Sequence, residues 1–231
     1  EHGFALDAQA VLSAWRPEIK LVFLCTPNNP TGNSLDHDLI ELLCREPGGK
    51  ALVVLDEAYI EFSRNRSFAE LLHRFANLVV LRTLSKAYAL AGARCGALIA
   101  HPDIVSLLAR VITPYALPTQ TIEAVLRFTD HQHRAESAQR IELILAERVR
   151  LSEQLARLPL IHRVWPSDSN FLLIECVDAD RVLSAAVSVG LIIRDPRTQP
   201  GLGNCLRISV GTPDQNSRLL HGISQAEGAA A

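Results

Sequence analysis

Short aliphatic runs of strand length alternate with helical stretches through the first half of this 231-residue chain, and few folds satisfy that pattern. Leu21–Cys25, Leu52–Leu55, Leu78–Leu81 and Cys95–Ala100 are apolar throughout, with no polar face at period two. Strands of this kind belong in a mostly parallel sheet buried on both faces, with helices as crossovers. Leu39, Ile40, Leu42 and Leu43 mark a helix between the first two. All four are parallel-strand candidates, and the expected class is α/β.

The period changes to helical from Gln120 to Leu158, with Ile122, Val125, Leu126, Ile141, Leu145, Val149, Leu155 and Leu158 on one face until Pro159 stops it. A helix of that length bridges two domains, and the polar His131-Gln132-His133 is the expected break. The last third reads as strand (161–165), strand (171–175), helix (179–189), strand (191–194), strand (205–210) and a final helix. That helix opens on the capping box Thr212-Pro213-Asp214-Gln215, with proline at its first position. The expected division is a large domain over 1–130 and a smaller α+β domain over 131–231.

Charge and composition exclude whole classes of function. Apolar residues are 48% and charged residues 21%, as in folded globular chains, and the net charge of −2 offers no footprint for a nucleic-acid backbone. The apolar runs are far too short for a membrane span, and Glu1-His2-Gly3-Phe4 has no signal-peptide pattern. Cys25, Cys44, Cys95, Cys176 and Cys205 are odd in number and include no CxxC pair, which fits thiols in a reducing cytoplasm and no metal site. The chain contains no methionine and so reads as a fragment, and its tail from Glu227 to Ala231 is low in complexity.

Polar residues cluster where the expected strands end, and in open α/β sheets ligands bind beyond the carboxyl ends of the strands. The first strand runs into Thr26-Pro27-Asn28-Asn29-Pro30-Thr31-Gly32, which by itself reads equally as an ordinary turn. The second runs into Asp56-Glu57-Ala58-Tyr59, where Asp56 alternatively caps a helix. The third runs into Thr83-Leu84-Ser85-Lys86, with Arg94 further on. A lone lysine is usually a solvated charge, but among small residues and hydroxyls its amine can become a carbonyl nucleophile. Pyridoxal phosphate requires a lysine, an acid for its ring nitrogen, and donors for its ring oxygen and phosphate.

Pro27-Asn28-Asn29-Pro30-Thr31-Gly32, Asp56-Glu57-Ala58-Tyr59 and Thr83-Leu84-Ser85-Lys86 with Arg94, in this order, resemble the fold type I pyridoxal-phosphate aminotransferases over essentially the whole chain. Asp56 through Phe62 and the two arginines Arg194 and Arg207 most resemble the histidinol-phosphate aminotransferase family among them. The resemblance implies a partial large domain and a small C-terminal domain, with Lys86 as the catalytic lysine that attaches pyridoxal 5'-phosphate. It implies Asp56 on the pyridine nitrogen, Asn29 and Tyr59 on the ring oxygen, and Thr83, Ser85 and Arg94 on the phosphate. Arg207 and Asn170 fall on positions for the substrate α-carboxylate, and Arg194 on the position for the substrate phosphate. The implied reaction is transamination between histidinol phosphate and 2-oxoglutarate, giving glutamate, by a cytoplasmic homodimer. Ala97 stands where the family usually has an aromatic. The family also has a further third of chain before the position of Glu1. The rival readings are an aromatic aminotransferase or amino-acid phosphate decarboxylase of the same fold, and a truncated chain without activity.

Overall fold

A computed structural model describes residues 3–45 and 50–228; the Glu1-His2 start and the Ala229–Ala231 end of the tail lie outside them. The chain divides into two compact units, one running to Asn28 and then over Asn33–Ala138, the other made of Asn29–Gly32 and Gln139–Ala231. The units divide inside a long helix, whereas the expected boundary lies at its start.

In the first unit, helix α1 (Ala8–Ala14) precedes strand β1 (Leu21–Cys25), helix α2 (His37–Arg45) and strands β2 (Leu52–Asp56), β3 (Leu78–Thr83) and β4 (Gly96–Ala100). They form one four-stranded sheet in sequence order. β1, β2 and β3 are parallel, with Cys25 opposite Asp56 and Asp56 opposite Leu81. β4 is antiparallel to β3 rather than parallel. The connection from Leu84 to Cys95 carries only a 3-10 turn, Ala91–Ala93, and no crossover helix, so the chain reverses. Alternate residues of β2 and β3, Val53, Leu55, Leu78 and Val80, pack with Ile40 and Leu43 of α2 and with Phe68, Leu71 and Phe75.

Burial on both faces does not extend across the whole sheet. On the opposite face the row Phe23, Val54 and Val79 is buried only at its last two positions, and Phe23 is 67% exposed. Helices α3 (Pro102–Ala109) and α4 (Thr119–Phe128) bury no residue, and Val111, Ile112 and Tyr115 in the segment between them are exposed.

Helix α5 (His131–Leu155) begins one residue after Asp130, whose Oδ1 accepts from the His133 backbone N–H at 2.8 Å. That cap sets the break between α4 and α5, and the helix ends three residues before Leu158 in a series of tight turns.

In the second unit, β5 (Ile161–Val164), β6 (Phe171–Cys176) and β7 (Cys205–Ser209) form an antiparallel sheet with β6 central. Leu151 and Leu155 of α5 pack on it with α6 (Ala179–Ser188) and α7 (Pro213–Gly228), through Val182, Ala186, Leu219 and Ile223. The capping box forms: Thr212 N–H donates to Gln215 Oε1 at 2.9 Å, and Gln215 N–H to Thr212 Oγ1 at 3.3 Å. The expected strand over 191–194 does not. Gly190 turns the chain with φ +73°, and Leu191 N–H donates to the Ala186 carbonyl at the end of α6. Only Arg194 pairs with a strand, through an isolated antiparallel bridge to Arg207.

A polar anchor ties α5 to α7. Arg150 donates to both oxygens of Glu147 at 2.8 and 2.7 Å, and the buried Asn216 donates to Glu147 Oε2 at 2.8 Å. Asn216 in turn brackets Gly211, accepting from its N–H and donating to its carbonyl. The hydrogen bonds from Arg150 hold the Glu147 carboxyl below its ordinary 4.5. Its contribution is therefore complete above the ordinary value and is lost as pH falls through the lower folded value. Glu147→Gln should lower stability by about 1 to 2 kcal/mol at neutral pH. In denaturant melts, the gap from wild type should close below about pH 4.5.

Candidate active site

Parallel register brings the carboxyl ends of β1, β2 and β3 to one edge of the first unit's sheet. Asp56, the last residue of β2, is exposed, and its Oδ1 accepts from Ala58 N–H at 3.0 Å. No α-helix follows, so Asp56 closes a local turn instead of capping a helix. That turn leads to the buried Tyr59 and a 3-10 turn over Ile60–Phe62. At the end of β3, Thr83 Oγ1 donates to Ser85 Oγ at 2.9 Å and accepts from Ser85 N–H at 3.1 Å. Lys86 follows, exposed, with Nζ 5.3 Å from the centre of the Tyr59 ring. Arg94, in the left-handed region at φ 53°, donates Nη1 to the Ala91 carbonyl.

Among the described residues no carboxylate pairs with Lys86 or Arg94, while Asp56 has no cationic partner. The set thus holds an accessible amine, an unneutralised carboxylate, two hydroxyls and a guanidinium with spare donors. These are the donor types that a phosphorylated pyridine aldehyde requires, and the residues fit it. No group of side chains suited to hold a metal ion occurs among the described residues.

In the second unit, Asn29, Pro30, Arg194, Asp195 and Arg207 line a cleft of about 270 Å³. Arg207 Nη1 donates to Asn29 Oδ1 at 2.6 Å, and its guanidinium lies 4.9 Å from the centre of the Phe171 ring. Arg207 Nε is buried and has no hydrogen-bond partner among the described residues. A buried N–H without an acceptor is costly, and an oxyanion would satisfy it. Arg194 is held beside it by paired backbone hydrogen bonds of 2.9 Å, and no carboxylate pairs with either guanidinium among the described residues. The Asn29–Gly32 segment is fixed by Gly32, at φ +82°, whose carbonyl accepts from Asp168 N–H; a Cβ there would lie 2.5 Å from Ser167 Oγ. Asn170 precedes β6, where its carbonyl accepts from Val210 N–H, and it does not line the cleft.

Residues 1–223 match the family model described as aminotransferase class I and II. This chain belongs to that family. It is 43% identical to histidinol-phosphate aminotransferase of Stenotrophomonas maltophilia over 231 residues, all of this chain and 64% of the relative. It is 45% identical to that of Xylella fastidiosa over 219 residues, 94% of this chain and 60% of the relative. The chain therefore spans about three fifths of the length of these curated relatives. Among solved structures, histidinol-phosphate aminotransferase from Sinorhizobium meliloti in complex with pyridoxal-5'-phosphate superposes with a TM-score of 0.83 at 26% identity, covering 98% of this chain and 62% of that one. The enzyme of the same name from Clostridium acetobutylicum shares the fold, with a TM-score of 0.87 at 21% identity, over 99% and 70% of the two chains.

The sequence motifs omit one buried network. Glu57, next to Asp56, has a fully buried side chain that accepts from Ser67 Oγ at 2.6 Å, Phe68 N–H at 2.7 Å and Arg82 Nη1 at 3.3 Å. Arg82, next to Thr83, also donates Nη2 to Glu61 Oε1 at 2.7 Å. Burial pushes the Glu57 carboxyl up, against the pull of Ser67, Phe68 and Arg82. The available signal was an arginine inside an otherwise apolar strand, with two acids four residues apart after the neighbouring strand, because charges placed there must pair. Arg82→Ala leaves Glu57 buried without its cation and should cost about 3 kcal/mol or more, with Arg82→Lys losing less. Denaturant unfolding of the two variants checks the order.

Proposed function

We propose that this chain carries the cofactor lysine and the substrate arginines of a pyridoxal-phosphate-dependent transaminase. In this reading the enzyme exchanges an amino group between L-histidinol phosphate and 2-oxoglutarate, giving imidazole acetol phosphate and glutamate. The similarity to histidinol-phosphate aminotransferases along the whole chain supports the substrate pair. The observation that carries it is the pair Arg194 and Arg207, bridged by backbone and unneutralised, with a buried orphan donor on Arg207. Such a pair suits amino compounds that bear two anionic groups or a phosphate.

Pyridoxal phosphate, when bound, supplies an electron sink that stabilises negative charge at the substrate Cα. Lys86 Nζ would attach the cofactor and, once the incoming amine displaces it, would carry the proton from the substrate Cα to the cofactor's C4′ carbon, as general base and then acid. Asp56 holds the proton on the ring nitrogen by its negative charge. Tyr59 and the Asn29 amide bind the ring oxygen, and because Asn29 Oδ1 accepts from Arg207, its NH₂ is the group that donates. Thr83, Ser85 and Arg94 bind the cofactor phosphate. Arg207 grips the α-carboxylate of glutamate near Asn170, while Arg194 takes the phosphate of histidinol phosphate or the distal carboxylate of glutamate.

The domains of this reading are a cofactor-binding part over 1–130 and a small part over 131–231. It works as a cytoplasmic homodimer, and the exposed Val111, Ile112 and Tyr115 supply apolar surface of the kind that a second copy covers. No helix among the described residues is long and apolar enough to cross a membrane.

Borohydride reduction after addition of pyridoxal phosphate should leave a pyridoxyl mass on the Lys86 peptide alone and none in Lys86→Ala. A label on any other lysine would sink the assignment. In an active preparation, histidinol phosphate should lose its amino group without releasing carbon dioxide; a phosphorylated amino acid that releases carbon dioxide instead would favour the decarboxylase.

A further inference from the structure

The cleft between Arg194 and Arg207 contains a group that works against it. Asp195, next in the chain to Arg194, lines the same cleft and carries a carboxylate of its own. A free carboxylate there would pair with Arg194 and compete with any incoming anion. The structure holds it elsewhere. Asp195 Oδ1 accepts from the Arg197 backbone N–H and Nε, both at 3.0 Å, and Oδ2 accepts from Nε at 3.1 Å and Nη2 at 2.8 Å. Arg197 Nη2 also donates to Asp180 Oδ1 of α6 at 2.7 Å, and Asp180 does not line the cleft, so the guanidinium has a second anchor outside it. Both oxygens of Asp195 are thus engaged by one fork, while Arg194 has no carboxylate partner among the described residues.

We propose that Arg197 is a positioning residue for substrate binding: it sequesters the Asp195 carboxylate and so keeps Arg194 and Arg207 available to a phosphate or carboxylate. This rests on the reading of the two arginines as the anion site, and it assigns Arg197 no contact with substrate. It also explains why an acid next to the substrate arginine does not cancel it. A bidentate pair fixes a side chain in one geometry, which a single contact would not. With the second carboxylate, Asp180, two acids share the one guanidinium of Arg197, so the relay holds Asp195 without itself becoming an anion site.

The alternative is that Arg197 merely braces the Pro196–Gly201 turn, and a double-mutant cycle separates the two. The measurement is the dissociation constant of inorganic phosphate, by titration of the 231-residue chain followed through its arginine side-chain resonances, in wild type, Arg197→Gln, Asp195→Asn and the double variant. Arg197→Gln should weaken phosphate binding about fivefold, the scale of one partly exposed charge pair. Asp195→Asn should bind as well as wild type or more tightly, and the double variant should recover wild-type affinity. In the active enzyme the same loss should fall on KM for the phosphorylated substrate and spare kcat. A double variant as weak as Arg197→Gln overturns the inference, because a lost brace is not repaired by removing the acid. Unchanged affinity in Arg197→Gln overturns it too, while leaving the anion site standing if Arg194→Gln still abolishes binding. A wild-type chain that takes up no phosphate overturns both together.

Discussion

The buried carboxylate of Glu57 is the contact on which the first unit's functional edge depends. It sits between Asp56 and Tyr59 and reaches Arg82, the neighbour of Thr83, so one ion pair joins the two strand ends that carry the candidate cofactor residues. A charge removed from water is tolerable only when its hydrogen bonds are made, and Glu57 has three donors. Arg82 answers two carboxylates at once, Glu57 and Glu61, which ties the 3-10 turn after Tyr59 to the same point. The edge is held in place by electrostatics as well as by the ladder, and neither Asp56 nor Lys86 is drawn into an ion pair among the described residues.

The second unit solves the opposite problem, that of keeping cations unpaired. Arg207 lies on a strand between buried neighbours, stacked on Phe171 and hydrogen-bonded to Asn29, so its fork is oriented before any ligand arrives. Stacking and a neutral amide orient a guanidinium without cancelling its charge, which a carboxylate would do. The anchor of Glu147, Arg150 and Asn216 fixes Gly211, two residues past the end of β7. Among the described residues the ion pairs of this unit fall on other arginines, Arg150, Arg197 and Arg218, and not on the pair that lines the cleft.

What the sequence specified follows from which forces are local. Aliphatic runs and the Thr212–Gln215 box act over a few residues, and the strands and the final helix lie where those signals put them. Leu191–Ile193 has the same composition as a strand, yet its backbone is claimed by the end of α6 after Gly190, a competition that composition does not reveal. The antiparallel β4 depends on the absence of a crossover helix from the Leu84–Cys95 connection, not on the strand's own residues. At the site, the residues that touch ligand in the family sit in recognisable motifs, and those that support them do not. Glu57, Arg82, Asp195 and Arg197 act through partners up to 25 positions away, and such pairing appears only once the chain is folded.

The pairing of Arg194 with Arg207 shows why position, and not residue type, decides what an arginine does here. Two like charges held side by side repel, and neither strand pairing nor packing requires them. The cost is accepted because the backbone bridge is indifferent to side-chain charge: Arg194 N–H donates to the Arg207 carbonyl and Arg207 N–H to that of Arg194, each at 2.9 Å. The main chain holds the two residues side by side, and an anion bound by both would relieve the repulsion and satisfy the orphan Arg207 Nε. An arrangement that lacks one negative charge is organised to receive it, and that is the physical content of the anion site proposed for this chain.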